Sequence, residues 1–535
     1  MRHPERFRLV LWLVVIALLG TSLLSGCANL GKKDLKVTMY AYTNPRPYNP
    51  VADQQAEAVA ADLTKIGVQV EIKKLPWREY KDAVQNKGEG DMVFMGWIGD
   101  NGDPDNFLYM LLDSKQIAKT ANMNLANYSN ADVDKLLEEA QTLTDPAARL
   151  EKYVKAQEII VKDAPWLFIS HSNDMVATRA DVTGFRLHPT GWINLNKVDK
   201  PAKNGKKILI YSRGSDAISL DPAIPDDGES FKPIIQIYDG LIKYKPGTTD
   251  LTAGLAESWN ISKDGLEYTF HLRKGVKFHD GTPFNAEAVK FSFDRQLPGK
   301  ATPDMAYASF TFGLVKQVDV VDPYTVKVTL SRPYTPFLAN LAMGLSAPIV
   351  SPTAVKKYGK DFGVKYAVGT GPFILEKWDH GTKTIYLKKN PNYWDGPPLL
   401  DEVIIKVTDD NTVRANELIA GDVDMIDGIA PADVARLQGD KNITFLSGAG
   451  MNVNYMAFRC DRPPFNNPKV REAFTHAVNL DAIVKTLYKG TATRANEVMP
   501  PGFFGYAKDV KPYAYDVDLA VKLLREAGYK ASKPK

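Results

Sequence analysis

The chain has 535 residues, 44% of them hydrophobic, and a formal net charge of +4. That length is more than one core can serve, so two or more lobes are expected. Near-neutral charge argues against a nucleic-acid partner, and two cysteines in the whole chain exclude a disulfide framework.

The first segment reads as a secretion signal. Arg2, Arg6 and Arg8 precede an apolar run from Leu9 to Leu19, and Leu24-Ser25-Gly26-Cys27 follows. The apolar run is too short and one-sided for a spanning helix in a mature protein. The Leu-Ser-Gly-Cys ending resembles the bacterial lipobox, which implies cleavage after residue 26 and an acylated Cys27 at a membrane surface. Losing residues 1–26 removes three arginines and Glu5, so +4 becomes +2. Cys460 is then left as a lone small residue, expected to be buried and inert.

Lys36 to Tyr42 alternates and is rich in Val and aromatics, the pattern of a strand. Gln54 to Ile66 has an amphipathic helical period, with Ala56, Val59, Ala60, Leu63 and Ile66 on one face. Val68 to Ile72 is a strand, Tyr80 to Gln85 a short helix, and Met92 to Trp97 a strand again. This β-α-β-α-β run predicts parallel pairing and an α/β lobe. Helices are predicted after Asn130 and from Asp145-Pro146, with Asp as N-cap and Pro at the first helical position. From Ile208 onward short strands and Gly/Pro turns dominate. Trp259 to Phe278 reads as hairpins, Ala286 to Asp294 as a helix, and Val315 to Leu330 as two strands around Asp322-Pro323. Helices at Pro468 to Val478, Leu480 to Tyr488 and Asp516 to Gly528 close the chain. The architecture is α/β plus α+β in at least two lobes.

Several motifs carry a family resemblance. Ala256-Glu257-Ser258-Trp259 and Tyr268-Thr269-Phe270-His271-Leu272-Arg273-Lys274-Gly275-Val276-Lys277-Phe278-His279-Asp280-Gly281 resemble the signature of the peptide/nickel (family 5) extracytoplasmic solute-binding proteins of ABC importers. Further landmarks are Gly369-Thr370-Gly371-Pro372-Phe373, Asn390-Pro391-Asn392-Tyr393-Trp394, Val470-Arg471-Glu472-Ala473-Phe474, Gly96-Trp97-Ile98-Gly99-Asp100 and Asp163-Ala164-Pro165-Trp166. Residues 206–531 resemble the family's N-terminal and middle portions, and residues 34–198 its C-terminal portion. Each landmark occurs once, so the chain resembles a circular permutant, with the family's usual termini fused through a linker at about 199–207. The resemblance implies a two-lobed periplasmic-binding-protein-like fold of class II type with an extra subdomain. One lobe is expected from 34–172 plus 448–535 and the other from 173–447, with crossings near Gly448 to Gly450 and His171 to Asn173.

A zwitterionic peptide needs one anionic and one cationic anchor. Asp100 follows a strand, where α/β ligands lie, and the family's matching Asp accepts a peptide's α-ammonium. Arg46, in Asn44-Pro45-Arg46-Pro47-Tyr48-Asn49-Pro50, resembles the Arg of the dipeptide-binding branch that pairs with the carboxylate. Its planar fork suits that partner. Anchors roughly 7–8 Å apart would admit two residues of extended chain. Trp97 and Tyr48 flank the anchors as candidate pocket walls. Gly214 and Ser215 resemble the opposing lobe's backbone-contact segment.

No nucleophile–base pair, phosphate loop or metal cluster emerges, so an enzyme, a metal site and a cofactor are not expected. The expected partners are a dipeptide or short peptide, an ABC permease and, through Cys27, a membrane, with the protein a monomer outside the cytoplasm. Longer peptides, glutathione, nickel complexes or haem remain alternatives on the same scaffold. A sensory receptor or a chaperone is the alternative outside transport.

Overall fold

The computed structural model describes residues 31–533. The secretion signal and Cys27 lie outside the described residues. The first strands are β1 (Lys36–Tyr42), β2 (Gln69–Leu75), β3 (Met92–Ile98), β4 (Trp166–Arg179) and β5 (Ile208–Arg213). Then come β6 (Ile242–Tyr244), β7 (Leu251–Ala253), β8 (Ala256–Ile261), β9 (Glu267–Leu272), β10 (Val315–Asp322) and β11 (Thr325–Leu330). The last are β12 (Phe373–Asp379), β13 (Thr384–Lys389), β14 (Glu402–Val407), β15 (Met425–Asp427), β16 (Ile443–Ala449), β17 (Asn452–Phe458) and β18 (Ala492–Arg494).

The opening run folds as its alternation predicts. β1 pairs in parallel with β2 on one side and β3 on the other, and Ala52–Lys65 is the crossover helix. The short helix after β2 is a turn of α-helix over Trp77–Lys81 continued by a wider π-turn over Asp82–Asn86. Asn130 and Asp145 cap the next two helices with their side chains, and Pro146 occupies the first turn of the second. The helix Asp105–Leu112, hidden in the sequence behind Asp-Pro-Asp-Asn, and the single 3-10 turn Ser114–Gln116 after it were not anticipated.

The path of the main sheet is β12-β13-β14-β5-β15-β4-β17-β3-β1-β2, with β16 and β18 also joined to β4. β4 is the long shared element. Its first half pairs with β17, and Asn173–Arg179 pair with β16. A second sheet, β10-β11-β9-β8, and a two-stranded ribbon, β6-β7, stand apart from it. The buried hydrophobic clusters divide in the same way. The largest draws on residues 35–169 and 451–531, and three smaller ones lie between residues 176 and 443. These cores define the two-lobed, mixed α/β and α+β architecture.

Candidate functional site

β1 and β3 are parallel neighbours, with Met39 opposite Met92 and Tyr40 opposite Val93. Their C-terminal ends therefore release two loops at one edge of the sheet. The β1 loop makes a tight turn: the Arg46 N–H donates to the Asn49 carbonyl (3.1 Å), and the Asn49 N–H donates back to Arg46 (2.9 Å). The Arg46 guanidinium lies 4.3 Å from the centroid of the Trp77 ring, and its Nε is buried without a protein partner. Trp77 stacks on Tyr80 and meets Tyr42 edge-on. Tyr48 is enclosed. A Cβ on Gly96 would fall 2.1 Å from Tyr48 Cδ2, so glycine is what lets this ring seat against β3. The Tyr48 carbonyl accepts from Ser172 Oγ (3.0 Å).

The β3 loop is organised by Asn106, a residue the sequence reading passed over. Asn106 Oδ1 accepts from the Trp97 indole N–H (2.9 Å) and from the Asp100 N–H (3.0 Å). Its amide donates to Asp100 Oδ2 at 3.4 Å. Trp97 is half-buried and spends its one donor on this loop. The signal available was an Asn at the start of a helix directly after Gly-Asp-Pro-Asp. Part of Asp100 is exposed, but its carboxyl is desolvated. Burial raises it to about 7 against the hydrogen bonds of Tyr307 and Asn106, and the charge of Asp226 adds to the rise. Tyr307 and Asp226 belong to the chain between residues 173 and 447, so Asp100 faces that part of the molecule.

Gly214 and Ser215 follow the C-terminal end of β5; Gly214 is half-buried and Ser215 exposed. Beneath them the fully buried Arg213 bonds Asp216 and the Glu229 carbonyl. No hydrogen bond among the described residues joins Arg46 to Asp100, or either to Gly214 or Ser215. Arg46 and Asp100 thus lie on two separate loops at one sheet edge.

Two strand passages connect the cores beside this edge. The Ser172 N–H donates to Asn452 Oδ1 (2.8 Å), and Asn452 Nδ2 donates to the Ser172 carbonyl (2.8 Å). His171 Nδ1 donates to the Asn452 carbonyl (2.6 Å); burial lowers this imidazole to about 4 and keeps it neutral. At Gly450 a Cβ would meet Asn452 Nδ2 at 2.5 Å and the Ser172 carbonyl at 2.7 Å, so the passages cross too closely for a side chain.

Among the described residues no group of three or more His, Cys, Asp and Glu is arranged to hold a metal. No helix among them is long and apolar enough to cross a membrane. Cys460 is half-buried, and burial pushes its thiol up to about 12.

A two-lobed fold of mixed α/β and α+β structure is that of the periplasmic solute-binding proteins. The model for bacterial extracellular solute-binding proteins, family 5 middle, matches residues 28–119 and 250–535, and the chain belongs to that family. Its members are transport binding proteins, not enzymes. The chain is 37% identical over 341 residues to the dipeptide-binding protein of Escherichia coli strain K12, covering 60% of this chain and 63% of the relative. It is 37% identical over 344 residues to heme-binding protein A of Haemophilus influenzae, covering 61% and 63%. In both cases the match spans less than two thirds of the relative's length. Among solved structures, the ABC transporter-associated periplasmic binding protein DppA of Helicobacter pylori, in complex with the peptide STSA, superposes with a TM-score of 0.53. It shares 35% identity over 61% of this chain and 67% of that one.

Proposed function

We propose that this protein is a lipid-anchored, extracytoplasmic receptor that captures dipeptides or other short peptides and delivers them to the permease of an ABC transporter. One observation carries the reading. The parallel pairing of β1 with β3 sends the Arg46 and Asp100 loops off the same sheet edge, beside the crossings between the two cores. Asp100 takes the ligand's ammonium and Arg46 its carboxylate. Trp97 and Tyr48 wall the site from the same side, and Gly214 and Ser215 meet the peptide backbone from the other. The likeness to the E. coli dipeptide-binding protein and to the H. pylori protein in complex with the peptide STSA supports the ligand class. The Leu24-Ser25-Gly26-Cys27 pattern supports an anchor at Cys27.

In this reading residues 34–172 plus 448–535 form one lobe and residues 173–447 the other, hinged at Ser172/Asn452. The chain is a circular permutant of the family order. Supporting this, the Lys33 N–H donates to the Gly528 carbonyl (3.1 Å), and the Lys530 N–H donates to the Lys33 carbonyl (2.9 Å). The two segments that would be continuous in the family order therefore lie side by side. The linker ties down at each end, through Thr183–Asp199 backbone bonds and Lys207 N–H to Asp401 Oδ2 (2.9 Å).

The test is calorimetric titration of residues 28–535 with dipeptides and matched tri- to pentapeptides. Micromolar or tighter binding confined to dipeptides, lost in Asp100→Ala, supports the assignment. Equal binding of pentapeptides overturns the dipeptide class, and binding of haem alone overturns the peptide class.

A further inference from the structure

The loop that presents Asp100 is also gripped from the other lobe, by residues that have no place in the ligand site described above. Tyr334 OH donates to Asp105 Oδ2 (2.9 Å), one residue before the Asn106 that organises Asp100. The Thr335 N–H donates to the Gln141 carbonyl (2.7 Å), and Thr335 Oγ1 donates to the Leu143 carbonyl (2.8 Å). Arg332 Nη2 donates to Gln141 Oε1 (2.9 Å), and Asn101 Nδ2 donates to Asn340 Oδ1 (2.7 Å). Tyr334 is rooted in the core between residues 241 and 349, whereas Phe107, Leu111 and Tyr153 around the receiving loop belong to the other core.

The receiving side is braced by its own hydrogen bonds. Gln141 Nε2 donates to Asp105 Oδ1 (2.9 Å). Arg149 holds Asp103 with two bonds of 2.9 Å and also donates to Tyr153 OH and the Ala140 carbonyl. Asn101, Asp105, Gln141 and Asn340 are each no more than 1% exposed. Buried polar groups of this kind cost most when one partner leaves, so a half-made contact is disfavoured.

We propose that Tyr334, Thr335 and Asn340 form a latch that closes on the Asp100 loop and on the Gln141–Leu143 turn bonded to it, and that sets the affinity of the receptor without touching the ligand. Every bond in it runs from protein to protein, so it stabilises the closed arrangement by the same amount for any ligand. A receptor that is closed only part of the time binds more weakly by the closed fraction. The affinity arm of this inference rests on the peptide-binding reading; the conformational arm does not.

The experiment pairs small-angle X-ray scattering of residues 28–535 in ligand-free buffer with calorimetry on a dipeptide panel, comparing wild type with Tyr334→Phe/Thr335→Ala. Phe keeps the ring in its core and removes only the hydroxyl. The expected result is a larger radius of gyration and about tenfold weaker binding of every dipeptide, about 1.4 kcal/mol, by one common factor. An unchanged radius with unchanged affinities overturns the latch. So does a weakening that differs more than about threefold between dipeptides, because it would put these residues on the ligand. If wild type binds no peptide, the functional reading fails and the scattering comparison alone decides the latch. Should the double variant misfold, Arg332→Ala, at a half-buried position, replaces it with a smaller shift in the same direction.

Discussion

If Arg46 receives the ligand's carboxylate, removing either partner should cost the same interaction, and removing both should cost it only once. The perturbations are Arg46→Ala in the protein and a C-terminal amide in place of the acid in one dipeptide. The structure sets the scale. The guanidinium lies on Trp77, 4.3 Å from the ring centroid, and its Nε is buried without a protein partner. A charge-assisted hydrogen bond contributes about 1.5–3 kcal/mol. The acid should therefore bind Arg46→Ala roughly 10–150-fold more weakly than wild type. The amide should be nearly indifferent to the substitution, giving a coupling energy of about 1.5–3 kcal/mol. Arg46→Lys should fall between, because a point charge cannot reproduce the two-pronged contact. The four titrations are run by calorimetry at one pH and salt concentration. A coupling below about 0.5 kcal/mol, the range in which independent sites simply add, refutes the pairing and leaves Arg46 as a residue stacked on an aromatic.

Two further outcomes follow, one from a buried carboxyl in the larger core's segment and one from the Tyr48 seat. Glu497 is fully buried, and both its oxygens lie 3.0 Å from the single Ala507 N–H; burial pushes its carboxyl up to about 8. Folding therefore takes up a proton between the ordinary value near 4.5 and about 8, so wild-type stability declines as pH rises through that window. Glu497→Gln keeps an acceptor for Ala507 and should be increasingly more stable than wild type from pH 5 to pH 8, read as urea midpoints; a constant difference would contradict the linkage. Gly96→Ala drives a methyl into the Tyr48 ring and should lower stability by about 1–3 kcal/mol and weaken dipeptide binding through the Arg46 turn. Unchanged melting and affinity would show that the ring is free to move.

What the sequence made legible was local. Alternation located β1 at Lys36–Tyr42, and capping chemistry located the starts of the helices at Ala131 and Pro146. Ala286–Asp294 matches its predicted helix because Asn285 caps it and its apolar side faces one core. The helix Asp105–Leu112 was missed because its start is a run of turn-forming residues, Asn-Gly-Asp-Pro-Asp-Asn. Those residues bond within the loop before the helix begins: Asp103 accepts from the Asp105 N–H, and Asn101 accepts from the Asp103 N–H. The candidate anchors were found through family motifs and strand ends. Asn106 and Tyr334 were not, because their importance lies in partners rather than in residue type. Tyr334 meets Asp105 across 229 positions of chain, and no spacing rule reaches that far.

The proposed permutation bears on mechanism because of where the covalent breaks do not fall. Lobe closure depends on backbone that runs unbroken through the crossings, so that small changes at element ends swing one core against the other. β4 makes one passage, from its pairing with β17 to its pairing with β16, and Ala449–Asn452 makes the other. Both remain intact. The joint of the family order would instead fall between Gly528–Lys530 and Lys33, next to the helix Val517–Glu526, where backbone hydrogen bonds hold the two segments side by side. The proposed fusion joint, Asp199 to Lys207, lies between the end of β4 and the start of β5, wholly within the chain between residues 173 and 447. A cut placed in β4 or between β16 and β17 would free one lobe from the rotation of the other. Under the permutation proposal, a cut beside Lys33 would change the order in which the pieces are synthesised and would leave both crossings, the sheet edge with Arg46 and Asp100, and the Tyr334 contact untouched.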